Sequence, residues 1–242
     1  MPLAIRTRRG SLETRTDIYV SPENRKATVI GMVHVADAAF YREVDRIVTA
    51  LHEQGATVQY ESLRPPVPED RMTSNERELV RRFQSNNTRS FLAAMLGLDL
   101  QHQNALRIQP WWVNADISLL EFLRALPDPE RFVTRLESAR IGLNDPQEQR
   151  QLRTTARFLI RHLPLFTIAL RPLEWIRRNR RAERRVILDL RNRSAASAIL
   201  AAGGDVVAMW GANHLPGIGA ILHDQGWRRV DTQWNVAVGQ AG

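Results

Sequence analysis

The chain has 242 residues, a formal net charge of +8 and no cysteine. That length suffices for one domain with a substantial core, or for a domain interrupted by an insertion. The missing cysteine excludes disulfides, thiolate metal sites and thiol catalysis. The opening Met1-Pro2-Leu3-Ala4-Ile5-Arg6 runs into further arginines without an apolar signal segment, so a cytoplasmic location is expected, with peripheral membrane association as the alternative.

The first clear element is Ala27-Thr28-Val29-Ile30, an apolar run with β-branched members that reads as a strand buried on both faces. It ends in Gly31-Met32-Val33-His34. Asp37 then stands as an N-cap, and Phe40, Val44, Ile47, Val48 and Leu51 recur at helical spacing as far as Gly55, a C-terminal cap. Ala56 to Tyr60 reads as a second strand, ending at Glu61. Such a strand–helix–strand unit makes its strands parallel, so His34 and Glu61 are expected at the same sheet edge. Residues 73–185 read as helices with short breaks. Thr73 with Glu76 and Ser118 with Glu121 have capping-box spacing, while Asp128-Pro129 and Asp145-Pro146 each place an acid before a first-turn proline. The apolar run from Phe158 to Leu170 is broken by Arg161, His162 and Pro164 and is too short to span a bilayer.

Toward the C-terminus, Val206-Val207-Ala208-Met209-Trp210 reads as another buried strand, and Gly211-Ala212-Asn213-His214 repeats the earlier phrase. A short helix with Ile218, Ile221 and Leu222 follows, then Gly226 as a cap and Trp227 to Val230. The expected fold is α/β. A mostly parallel core sheet is built from residues 1–72 and 186–242, and a helical insertion, 73–185, covers the ligand edge. Ligands bind at the carboxyl ends of strands in such sheets, so both histidines point to one site.

The ordered set Gly31 to His34, Glu61, Arg191-Asn192 and Gly211 to His214 resembles the TraB/GumN/Tiki superfamily, whose relatives include pheromone-shutdown, ChaN-like haem-binding and erythromycin-esterase-like proteins. The resemblance covers residues 27–63 and 186–232, with Asn213 standing where many relatives carry a small residue. It implies a metal-dependent hydrolase, with a peptidase as one form, acting on a peptide or small carbonyl substrate. The alternatives it implies are peptide sequestration and haem held by a histidine.

His34, His214 and Glu61 are accordingly the expected ligands of a divalent zinc, manganese, cobalt or iron, with Glu61 as third ligand or as general base. Two histidines and one carboxylate would leave positions open for water and substrate. Arg191 offers a planar fork of donors for Glu61, a substrate carboxylate or an oxyanion. Asn192 is read as a helix cap, with Asn213, Gly31 and Gly211 in supporting places. Asp116, in Val113-Asn114-Ala115-Asp116, is a weaker candidate, with an N-cap just before Ser118 as the favoured reading. His52, His102, His162 and His223 lack supporting context; His52 and His223 fall late in helices, where the dipole favours them.

The basic residues are nearly all arginine, densest at Arg171, Arg177, Arg178, Arg180, Arg181, Arg184 and Arg185. The segment reads either as a solvated helix face or as a weak contact for an anionic membrane surface, the basis of a third reading as a membrane adaptor. No nucleic-acid signature accompanies it, so specific DNA reading is not expected.

Overall fold

A computed structural model describes residues 4–67, 71–85, 99–100, 106–138 and 181–239. The elements in chain order are β1 (Ile5–Arg8), β2 (Ser11–Val20), β3 (Lys26–Met32), β4 (Val35–Ala36), α1 (Ala38–Glu53), β5 (Thr57–Tyr60), α2 (Ser74–Gln84), β6 (Asp99–Leu100), β7 (Val113–Asn114), α3 (Leu119–Ala125), α4 (Pro129–Ser138) and α5 (Arg181–Arg184). A π-helical stretch (Arg185–Leu190) continues α5 into α6 (Arg191–Ala201). Then come β8 (Val206–Gly211), a 3₁₀ turn (Ala212–His214), α7 (Leu215–Asp224) and β9 (Arg228–Val238).

The α/β expectation holds. Among the described residues, seven strands form one sheet whose central order is β3-β8-β5-β7, all parallel. β2 is the one strand of this sheet running the other way, pairing antiparallel with β1, β3 and β9. β3 and β5 are parallel as the strand–helix–strand reading requires, but β8 lies between them. The second Gly-x-x-His phrase is thereby seated between the first and Glu61. β4 and β6 pair separately.

Both faces of β3 and β8 are buried, which explains their apolar runs. Ala27 and Val29 of β3, with Val206, Ala208 and Trp210 of β8, pack against Ala195 and Ile199 of α6 and Leu215, Ile218 and Leu222 of α7. The alternate residues Ile30, Met32, Val207 and Met209, with Val58 of β5, pack against Phe40, Tyr41, Val44 and Val48 of α1. Fully burying one such side chain is worth roughly 1.5–3 kcal/mol. A third cluster joins Leu79 and Val80 of α2 to Phe122 and Leu123 of α3 and Val133 of α4, with Val186, Ile187 and Leu190 packed on it.

Local signals mostly act as read. Gly55, at φ +94°, takes the left-handed conformation that ends α1, and its N–H donates to the His52 carbonyl. Thr73 and Glu76 form a reciprocal capping box, and Ser118 accepts from the Glu121 N–H. Asp37 occupies the N-cap position of α1, yet its carboxylate accepts the Gly239 N–H at 2.7 Å and so ties β9 to α1. Asn192 does not cap a helix. The chain is already helical from Arg181, so α6 has no free N-terminus for it to cap. The middle of the chain is also not helical throughout, since β7 adds a strand to the main sheet beside β5. Asp145-Pro146, the Phe158–Leu170 run, His102, His162 and the arginines from Arg171 to Arg180 lie outside the described residues.

Candidate functional site

The parallel strands β5, β7 and β8 each deliver one part of the site just past their carboxyl ends. The register pairs Met32 with Gly211, so both Gly-x-x-His phrases leave the sheet at one edge. Glu61 follows β5 and extends the ladder by donating its N–H to the Met209 carbonyl at 3.0 Å. Asp116 follows β7, and His214 ends the 3₁₀ turn after β8. α6 brings Arg191 and Asn192 across the same edge, held to the β7 loop by Ser194 Oγ donating to the Ala115 carbonyl at 2.7 Å.

The centre is an ion network. Arg191 Nε donates to Asp116 Oδ1 at 3.0 Å, and its Nη2 donates to Asp116 Oδ2 and, at 2.5 Å, to Glu61 Oε1. Glu61 Oε2 accepts the Gly211 N–H. Nη1 of Arg191 has no protein partner among the described residues. Asp116 is fully buried and also accepts the Ile117 N–H at 2.9 Å. Asp116 therefore anchors Arg191 and does not cap α3, whose N-cap is Ser118. The sequence marks it only as a weaker candidate, because an acid two residues before a serine cap is indistinguishable from a turn residue. Its partner lies in a helix distant in the chain.

His214 completes the network. Its Nδ1 lies 2.7 Å from Asn192 Oδ1, and because an amide oxygen only accepts, Nδ1 carries the proton. Nε2 then presents its lone pair toward Glu61 Oε1, 3.7 Å away. The imidazole also meets the Trp210 ring edge-on, with centroids 5.4 Å apart. Burial holds its pKa below the ordinary 6.5 despite the pull of Glu61, so the ring is neutral near pH 7. For Glu61, burial pushes the pKa up, but Arg191, His214, the Gly211 N–H and His34 outweigh it and the carboxylate stays ionised. Burial likewise opposes the charge on Arg191, and the bonds to Asp116 and Glu61 more than offset it.

Two glycines make room for these contacts. A Cβ on Gly211 would stand 3.0 Å from Glu61 Oε2, and one on Gly217 would fall 2.0 Å from Asn192 Nδ2. Gly31 is needed elsewhere, because its Cβ would meet the Arg15 carbonyl at 2.5 Å. His34 is exposed, close enough for its charge to be felt at Glu61. Asn213 is exposed beside His214. His52 stacks on Trp111, and His223 is exposed on α7; neither joins the site.

Among the described residues, no group of three or more His, Asp and Glu is placed to hold a metal ion. His214 Nε2 and Glu61 Oε1 are two facing donors, but both Glu61 oxygens already accept from Arg191 or Gly211. As placed, these residues form a two-donor pair with a guanidinium beside it, short of the three protein ligands of a catalytic zinc.

The fold and site thus define an α/β protein with a buried Glu–Arg–Asp–His centre at the carboxyl ends of its parallel strands. No family model matches the chain, and neither the curated proteins nor the solved structures include a significant match. Among the described residues, no helix is long and apolar enough to cross a membrane.

Proposed function

We propose that the chain is a hydrolase of a peptide, amide or ester carbonyl, working in the cytoplasm and related by its motifs to the TraB/GumN/Tiki proteins. The observation that supports this best is a neutral, buried His214 whose Nε2 lone pair faces an ionised carboxylate at 3.7 Å. Nε2 removes a proton from water as the water oxygen bonds to the carbonyl carbon, and the carbonyl π pair moves onto its oxygen. Glu61 stabilises the imidazolium that forms, and Asn192 fixes the ring tautomer through Nδ1. Nη1 of Arg191 donates to the developing oxyanion. Collapse of the tetrahedral species breaks the bond to the amine or alkoxide, which leaves with the proton from Nε2.

The metal-dependent form of this activity is a narrower proposal, with His214, Glu61 and His34 as the ligands of a divalent ion. No step above passes through a metal, because the residues as placed supply two facing donors and not three.

The test is turnover of a panel of chromogenic esters and amides by wild type, His214→Ala and Glu61→Gln, with metal analysis and a visible spectrum of each protein. The expected outcome is a loss of about 100-fold or more in kcat/KM for His214→Ala, and a wild-type profile rising with pH through an apparent pKa below 6.5. Full activity in His214→Ala, or no turnover of any panel member, would contradict the reading. Stoichiometric metal that both variants lose would instead establish the metal-dependent form, and a Soret band would point to haem binding.

A further inference from the structure

The described end of the arginine-rich segment borders a cavity of about 620 Å³ between α5, the π-helical stretch and the start of α7. Arg181, Arg184, Arg185, Asp189 and Asn192 line it from one continuous helix, and Asn213 lines it from the turn after β8. Three guanidinium groups against one carboxylate leave two positive charges in excess. The three arginines are exposed and make no salt bridge among the described residues. That sets them apart from Arg82, Arg124, Arg135 and Arg191, each of which is paired with a carboxylate. Glu183, within the same stretch, is turned inward and pairs with Arg135 at 2.6 Å, so it does not neutralise them.

The cavity is separated from the ion network by one side chain. Asn192 faces His214 with its amide oxygen, and its amide nitrogen lies against Gly217, another lining residue of the cavity. A solvated helix face would need no concavity and no polar wall from a second element.

We propose that this cavity binds the phosphate group of a small organic ligand. One carboxylate is satisfied by a single bidentate arginine, whereas three guanidinium forks match the three terminal oxygens and double charge of a phosphomonoester. The amides of Asn192 and Asn213 add further donors to the lining. The site stands on the arginines and the cavity, independent of any turnover at His214. A lipid headgroup carries the same phosphate chemistry, and the experiment separates the two sources.

The test is titration calorimetry of the full chain with phenyl phosphate at low salt and mildly alkaline pH. Wild type is expected to bind saturably, one ligand per chain, with affinity falling as salt rises. The double variant Arg184→Gln/Arg185→Gln is expected to bind at least about tenfold more weakly. Asn213→Asp, which adds a negative charge to the lining, is expected to weaken binding as well. Arg228→Gln, an exposed arginine of β9, is expected to bind like wild type. Circular dichroism confirms that each variant is folded. Absence of saturable binding by wild type would overturn the proposal, as would an Arg228→Gln loss equal to that of the double variant. Sedimentation with phosphatidylglycerol vesicles is the second arm; binding to vesicles without binding to phenyl phosphate would also overturn it.

Discussion

Arg191 is the residue on which the site depends, because among the described residues it alone is a cation bonded to two buried carboxylates. Bringing a guanidinium out of water is unfavourable unless its charge is matched, and Asp116 supplies most of the match through two bonds to Nε and Nη2. Removing Asp116 leaves Arg191 with Glu61 alone and strips the Ile117 N–H of its acceptor. Asp116→Ala is therefore expected to lower the unfolding free energy by about 3 kcal/mol or more, read by urea denaturation. A loss under about 1 kcal/mol would mean that Arg191 is solvated and the network loose. Gly217 acts on the same centre by its absence of a side chain, since Asn192 occupies the space a Cβ would need.

At the scale of elements, the sequence was most readable where burial is simplest. β3, α1, β8 and α7 announce themselves because unbroken apolar runs mean strands covered on both faces, and a helical stripe means one covered face. β2 escaped that reading. Thr14, Arg15, Thr16 and Asp17 are buried in it, a polar stretch that no apolar pattern marks. Asp17 makes this tolerable by accepting Thr232 Oγ1 at 2.9 Å and Tyr19 Oη at 3.3 Å and by pairing with Arg15 at 2.9 Å. Burial and the neighbouring Asp17 push the Tyr19 pKa up to about 12, so its hydroxyl keeps its proton as a donor. The place of β8 between β3 and β5 was likewise hidden, because strand order is decided by packing across the whole chain. Capping signals are local, and they transferred well. Thr73→Ala, which removes one half of the α2 capping box, is expected to destabilise by about 1 kcal/mol in the same denaturation assay. No measurable change would mean that α2 draws nothing from its cap.

At the scale of the molecule, the chain closes on itself: β9 runs along one edge of β2, and β3 and β8 bring the two ends of the sequence into register. The site sits on that closure, so its ionisation is linked to folding. Glu61 and His214 both have pKa values lowered by the fold. A lowered pKa means that the folded state binds fewer protons, so the stability each group contributes is present above its unfolded value and lost on acidification. Thermal stability is expected to begin falling as the pH drops below about 6.5, where unfolded histidine takes up a proton. It is expected to fall further below about 4.5, as the unfolded carboxylate does the same. Stability that rises between pH 7 and 5 would contradict the burial of a neutral histidine.

Everything proposed for the site turns on His214 being a neutral imidazole with its proton on Nδ1 and its lone pair on Nε2 facing Glu61. Long-range proton–nitrogen correlation spectra of the histidine rings, followed as a function of pH and assigned with His214→Ala, measure this directly. The expected result is the Nδ1-protonated tautomer, titrating below 6.5. The signal should shift toward mixed tautomers in Asn192→Ala. A His214 ring protonated on Nε2, or one that titrates at or above 6.5, would contradict the account.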